Sequence, residues 1–317
     1  MTKSFQHIAV LLNESIDKLS IKSDGIYIDC TFGAGGHSRA ILSKLERNGH
    51  LYAIDRDPQS IVEAKKINNP RFTIIHGLFS NTAEYARRYN ILGKVDGILL
   101  DLGVSSPQID NAERGFSFMR DGPLDMRMDQ TVGVSVSQWL LEADLDHIVW
   151  VIREFGEDRN AYRIAKAIIR HRNDKGKEPL TRTSQLARLV SKVTSSRGFR
   201  QKKHPATRVF RAFRMYINSE IEEIETILKN AISILVPGGR LLVISFHSLE
   251  DRIVKSFIRK ESQGPEIPSG IPLTETQINK LGSANIKVIG KAVKPSKHEI
   301  GVNVRSRSSV LRVVQKL

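Results

Sequence analysis

The residues best suited to chemistry are the run Thr31-Phe32-Gly33-Ala34-Gly35-Gly36-His37-Ser38 and two acids, Asp55 and Asp101. The glycines at 33, 35 and 36 let backbone approach a ligand without Cβ clashes. Asp55 closes the apolar run Leu51-Tyr52-Ala53-Ile54, and a carboxylate there accepts hydrogen bonds from both hydroxyls of a ribose. Asp101 closes a later run, Ile98-Leu99-Leu100. Together they suit a nucleoside cofactor at the carboxyl ends of parallel strands, although the glycines alone also fit an ordinary tight strand-to-helix turn. Ser38 stands where the third glycine of a Gly-x-Gly-x-x-Gly dinucleotide loop belongs, which disfavours an NAD-dependent oxidoreductase. No Gly-x-x-x-x-Gly-Lys-Ser/Thr run occurs, which disfavours a P-loop nucleotidase.

The elements that must hold these residues are legible as hydrophobic periodicity. Gly25–Thr31, Leu51–Asp55, Arg71–His76 and Asp96–Asp101 read as buried strands, separated by helical patterns such as Ala40, Ile41, Leu42, Leu45. That alternation predicts a parallel sheet with right-handed crossovers. It stops near residue 106. A glycine- and methionine-rich loop, Arg114 to Met128, follows, then helical stretches at Val136–Leu145, Arg159–Arg172 and Thr183–Val193. The rhythm resumes with a helix carrying Ile221, Ile224, Ile227, Leu228 and Ala231. Pro237-Gly238-Gly239 should end that helix, with Arg240–Phe246 the next strand. Residues 261–275 read as a loop, and Lys287–Val293 and Ser309–Val314 as the last strands. The expected organisation is one α/β domain, 1–105 with 214–317, interrupted by a mostly helical insertion at 106–213.

The chain has 317 residues, 40% apolar, and a formal net charge of +15. Between Arg159 and Arg214 lie seventeen Lys and Arg but only Asp174 and Glu178 as acids, so this segment alone carries +15 and the remainder sums to zero. A neutral body with one strongly basic segment points to a polyanion such as nucleic acid, ahead of a merely solvated surface. Its densest run is Arg197, Arg200, Lys202, Lys203, Arg208 and Arg211, with Phe199 and Phe210 available for stacking, packing being the better reading for Phe210. The single cysteine, Cys30, excludes an internal disulfide and a cysteine-built zinc site, and no ligand cluster is spaced for a metal. No membrane span or secretory signal is evident, so a reducing cytoplasm is the expected compartment.

Longer motifs carry a resemblance. Thr31–Ser38, Asp55-Arg56-Asp57-Pro58, Asp101-Leu102-Gly103-Val104-Ser105-Ser106-Pro107-Gln108, Glu113-Arg114-Gly115-Phe116-Ser117, Asp125-Met126-Arg127-Met128, His204-Pro205-Ala206-Thr207-Arg208 and Ser245–Arg252 occur in this order. They are flanked by His7–Leu12 and Arg307–Arg312. With the Pro237-Gly238-Gly239 module, the chain resembles class I (Rossmann-like) S-adenosylmethionine-dependent methyltransferases. Within them it resembles the RsmH (MraW) family, bacterial enzymes that methylate N4 of a cytidine in 16S ribosomal RNA. The resemblance implies S-adenosylmethionine as cofactor and 16S rRNA, within the small ribosomal subunit, as partner. It places Gly35, Gly36 and His37, beside the Gly33 read from the loop itself, in the cofactor loop, Asp55 on the ribose, Phe79 beside the adenine, and Asp101 and Gln108 near the reacting end. It assigns no role to His7 or His247. The Asp/Asn-Pro-Pro-aromatic clamp of many amino-methyltransferases is absent, a departure that the family shares and that leaves the base clamp unidentified. Asp101, Ser105 and Ser106 are the candidate catalytic groups, the serines also fitting a turn that bonds its own backbone. A non-catalytic RNA-binding factor with a retained cofactor pocket is the alternative, disfavoured by the intact Gly33–His37, Asp55 and Asp101.

Overall fold

The computed structural model describes residues 9–194, 204–263 and 284–317. It divides into two compact units, residues 1–103 with 222–317 and residues 104–221. The return boundary therefore falls at 221/222 rather than 213/214. The reason is a helix, Ala206–Ile217, which packs on other helices of the insertion and so belongs to it.

The first unit is built on a seven-stranded sheet of order β3-β2-β1-β4-β5-β7-β6. Its strands are β1 (Ile26–Asp29), β2 (His50–Asp55), β3 (Phe72–His76), β4 (Val95–Asp101), β5 (Leu235–Ser245), β6 (Ile286–Val288) and β7 (Val310–Lys316). Strands β1 to β5 pair in parallel. The last two do not follow the expected parallel rule: β7 is antiparallel to both β5 and β6. A parallel neighbour needs a long crossover connection. Between β6 and β7 the chain supplies only a short helix, Lys297–Val302, and a 3₁₀ turn, so the strand returns antiparallel. Strand β5 also begins earlier than expected. Pro237-Gly238-Gly239 lies inside it, as a register shift that pairs Val95 with Leu235 but Gly97 with Arg240.

Alternation along the strands sorts their side chains onto two faces. One core joins Ile28, Ile54, Ile98, Leu100, Leu241, Val243 and Val314 to Ile224, Ile227, Leu228 and Ala231 of the helix Glu220–Ile234. The other joins Tyr27, Leu51, Leu99, Leu242, Ile244 and Leu311 to Leu19, Ile41 and Leu42 from helices Leu12–Leu19 and Gly36–Leu42. With both faces covered, binding is left to the strand ends. The order reverses between β1 and β4, and ligands bind open α/β sheets in the crevice at such a switch point.

The second unit is helical. The stretch expected as one helix from Val136 is two, Val136–Glu142 and Leu145–Glu154. Asp144 caps the second by accepting from the His147 amide at 2.7 Å. Its core includes Val136, Ile148, Ile152, Ile164, Ile168, Val190 and Phe213, all buried. The methionine-rich loop is tied down from within. Arg114, fully buried, donates to the Met128 carbonyl at 2.6 Å, and Asn218 bridges the Met128 amide and the Met126 carbonyl, both at 2.8 Å.

Candidate cofactor site

The glycine loop is laced to the ends of three strands. Asp29, the last residue of β1, is fully buried, accepts from the Thr31 amide at 3.1 Å and from the Ser38 hydroxyl at 2.7 Å, and so grips the loop on both sides. Thr31 accepts the Asp101 amide on its hydroxyl at 2.7 Å, which joins the loop to β4. The Gly33 amide donates to Asp55 at 2.7 Å, which joins it to β2. Gly35 lies at φ +78°, and a Cβ there would fall 2.6 Å from both the Phe32 ring and the Arg39 guanidinium. Only glycine fits that turn. Gly36 opens the following helix under Ala9, and His37, nearly buried, brings Nδ1 to 3.6 Å from an Asp101 carboxylate oxygen.

Three of the acids are electrostatically costly. Burial raises the Asp29 carboxyl, with the Ser38 and Thr31 hydrogen bonds pulling back. Burial pushes Asp55 up to about 6, against the amides of Asp57 and Gly33 that favour its charge. Asp101 is held well above the usual carboxylate range, by burial first and then by the charges of Asp29 and Glu250. One Asp101 oxygen, Oδ1, is buried and meets no hydrogen-bond partner among the described residues. A buried acceptor without a donor is expensive. It is satisfied by a ligand that brings a cation or a donor, and S-adenosylmethionine brings both, as a sulfonium and an ammonium group. Asp55, beside the glycine loop, fits the ribose.

The first unit thus brings together Gly33, Gly35, Gly36, His37, Asp55 and Asp101. Phe79 starts a 3₁₀ turn just beyond β3 and is half-buried against Ile54 and its neighbours. His247 lies beyond the end of β5 with Nε2 2.8 Å from Glu250, whose other oxygen accepts the Phe246 amide at 2.8 Å. Glu250 itself is fully buried. Sequence reasoning gave no individual role to Asp29, or to Thr31 and Glu250 within their motifs. The signal available for Asp29 was an acid in an otherwise apolar strand.

Other expected residues have structural partners. Ser105 and Gln108, in the second unit, form the capping box of the helix Ser106–Asp110. The Gln108 side chain accepts the Ser105 amide at 2.9 Å, and the Ser105 hydroxyl accepts the Gln108 amide at 3.4 Å. Arg211 donates to the carbonyls of Phe155 at 3.3 Å and Gly156 at 2.9 Å, and Arg208 to that of Glu157 at 3.2 Å, closing the end of Leu145–Glu154. Phe210 is buried, edge-on to Phe118 at 4.9 Å, and is core. His7, Arg197, Phe199, Arg200, Lys202 and Lys203 lie outside the described residues. Among the described residues no group of acids, histidines and cysteine could hold a metal ion, and no helix is long and apolar enough to cross a membrane.

Solved structures similar to the chain include one described as an rRNA methylase from Clostridium thermocellum. It shows 13% identity and a TM-score of 0.44, over 98% of this chain and 99% of that one. An rRNA methylase from Streptococcus thermophilus follows at 13% identity and a TM-score of 0.41, over 98% of each chain. NSun6 from Pyrococcus horikoshii has 15% identity and a TM-score of 0.41, over 99% of this chain and 55% of that one. The sequence profile of the MraW methylase family matches residues 4–317. The chain therefore belongs to the MraW methylase family, a methyltransferase whose cofactor is S-adenosylmethionine.

Proposed function

We propose that the protein methylates ribosomal RNA, at the N4 amine of one cytidine in the 16S rRNA of the small ribosomal subunit, in the cytoplasm. In this reading the sheet unit holds the cofactor and the helical unit engages the RNA. The observation that carries it is the buried, unmet oxygen of Asp101 at the switch point, in a chain whose family is a methylase. When bound, the cofactor supplies an electrophilic methyl group. The protein's own task is to hold the acceptor amine in line and localise its lone pair, which positioning and fixed dipoles accomplish. Asp101, Ser105, Ser106 and nearby carbonyls are the groups assigned to that task. The target base must be single-stranded or flipped to reach them, and the basic segment around Arg197–Arg211 holds the phosphates meanwhile.

The choice of amine over ring carbon is supported by Cys30. Carbon methylation of cytosine normally requires a cysteine nucleophile adding to the ring. Cys30 is 1% exposed, its sulfur lies 3.7 Å from the Thr82 hydroxyl, and burial pushes its thiol well up, so it does not serve as a nucleophile. The experiment is methyl transfer from labelled cofactor to ribosomal fractions, followed by nucleoside mass spectrometry, with Cys30→Ser beside the unsubstituted protein. N4-methylcytidine from both is the expected result. 5-Methylcytidine, or loss of transfer in folded Cys30→Ser, overturns the assignment.

A further inference from the structure

The sheet unit has a second cationic surface, away from the glycine loop. A cavity of about 330 Å³ opens between the helix Ser248–Gln263 and the β6–β7 edge, and Lys255, Arg259, Lys291 and Arg312 line it with the apolar Ile258 and Val288. Among the described residues only one acid pairs with these charges. Asp251 takes Arg312 in a two-point pair, Nε to Oδ1 at 2.6 Å and an Nη to Oδ2 at 3.2 Å, with Lys255 at 3.5 Å. Arg259 and Lys291 meet no carboxylate within 4.0 Å among the described residues, and with Lys255 they are exposed. The surrounding sequence is equally one-sided: residues 284–317 hold eight Lys and Arg and a single acid, Glu299. Four cations converging on a cavity with one acid suit an anion that brings more than one charge.

The position of the cavity names that anion. Arg312 pairs in register with Val243, and Val243 with Leu100, the residue before Asp101. Arg312, on the inner wall of the cavity, therefore lies toward the same end of the sheet as Asp101, two strands or about 10 Å across, and the β6 side of the cavity lies one strand farther. A strand of nucleic acid advances about 3.4 Å per nucleotide in a duplex, so a few nucleotides span the gap.

We propose that this cavity binds the phosphate backbone of the substrate RNA a few nucleotides from the target base. The inference rests on the rRNA reading above and deepens it, because it makes the sheet unit part of the RNA-binding surface. Arg312 stays fixed by Asp251 and shapes the floor. Lys255, Arg259 and Lys291 are the groups that exchange solvent for phosphate.

The test is a triple variant, Lys255→Ala with Arg259→Ala and Lys291→Ala, against a control triple, Lys44→Ala with Lys65→Ala and Lys94→Ala, which removes three exposed lysines of the same unit. Binding of labelled 16S rRNA is followed across a salt series, and cofactor affinity by calorimetry. The expected result is a log–log salt slope shallower by about 2 in the cavity variant, roughly 0.7 per lost contact on a single strand. The control slope and both cofactor affinities should be unchanged. Equal slopes for the two variants overturn this proposal alone, provided the unsubstituted chain still binds and methylates the RNA. Absence of RNA binding by the unsubstituted chain overturns both it and the rRNA reading.

Discussion

Asp55→Asn separates the cost of the site from its use. The Asp55 carboxylate sits among two amide donors, Gly33 at 2.7 Å and Asp57 at 2.8 Å, yet burial still pushes it from 3.8 up to about 6. At about 1.36 kcal/mol per pH unit, that displacement amounts to about 3 kcal/mol. Because the folded value lies above the unfolded one, the stabilising contribution is complete below pH 3.8 and is lost as pH rises through about 6. Cofactor-free protein at neutral pH therefore carries up to about 3 kcal/mol of strain from this one charge. Asparagine carries no charge, but both Asp55 oxygens accept amides, from Gly33 and Asp57, so its NH2 group faces one of those donors and forfeits that bond, at about 1–3 kcal/mol. Relative to the parent, cofactor-free Asp55→Asn should therefore gain up to about 3 kcal/mol as pH rises from 4 through about 6, on top of a pH-independent loss for the forfeited bond.

Binding reverses the balance. Ribose hydroxyls donate to the charged carboxylate, so parent affinity for S-adenosylmethionine should rise with pH through about 6, by as much as tenfold per pH unit below it. The variant should lose that share of the pH dependence and, at neutral pH, about 1–3 kcal/mol of affinity, or roughly 5- to 150-fold. Calorimetric titrations and thermal unfolding, each run across this pH range, read both effects. A parent affinity flat in pH, or a variant that binds as the parent does, refutes the ribose assignment. A stability difference between variant and parent that is flat from about pH 4 to 7 refutes the claim that burial dominates.

Gly35→Ala should abolish measurable cofactor binding, because its Cβ would meet Phe32 and Arg39 at 2.6 Å in a backbone at φ +78°; unchanged calorimetric affinity would contradict the loop geometry. Asp101→Asn should lower methyl transfer more than cofactor affinity, measured as single-turnover rate against dissociation constant, since it removes the charge at the reacting end. Replacing Arg197, Arg200, Lys202 and Lys203 together by Ala should weaken rRNA binding and reduce the salt slope by roughly 0.7–0.9 per lost phosphate contact, with cofactor affinity unaltered. An unchanged slope would return that segment to a solvated surface.

What the residues disclosed beforehand was local chemistry. Glycines before a helix also fit an ordinary turn, but with carboxylates ending two apolar runs they mark Asp55, Asp101 and the loop as one candidate site without coordinates. Roles created by partners distant in sequence do not. Thr31 matters because its hydroxyl meets the Asp101 amide seventy positions away. The reversal of β7 depends on how little helix lies between β6 and β7, and the break before Leu145 on one cap. Ser105 and Gln108 are instructive in another way. Their Ser-x-x-Gln spacing is itself a capping-box signature, and the resemblance drew attention to chemistry instead. Charge summation misled too: residues outside 159–214 total zero, yet the basic run from 284 to 317 is cancelled on paper by acids elsewhere in the chain.

Three aspartates, Asp29 buried and Asp55 and Asp101 partly so, end three adjacent strands, and the fold treats them unequally. Asp29 has both oxygens occupied, by the Thr31 amide and the Ser38 hydroxyl. Asp55 likewise has an amide on each oxygen. Those bonds define the loop, and they partly offset the cost of burying the two charges. Asp101 keeps one oxygen beside His37 and one with no partner, while Asp29 and Glu250 add negative charge around it. A fold seeking stability alone would supply the missing donor or replace the acid. Leaving that oxygen unmet, next to a loop so heavily braced, puts the site's largest unsatisfied demand where a cation is to arrive. The rigidity of the loop and the strain at Asp101 are thus one device. In the proposed reading the bracing holds the acid in place for the ligand, so that part of the binding free energy would be release of a cost already built into the folded chain.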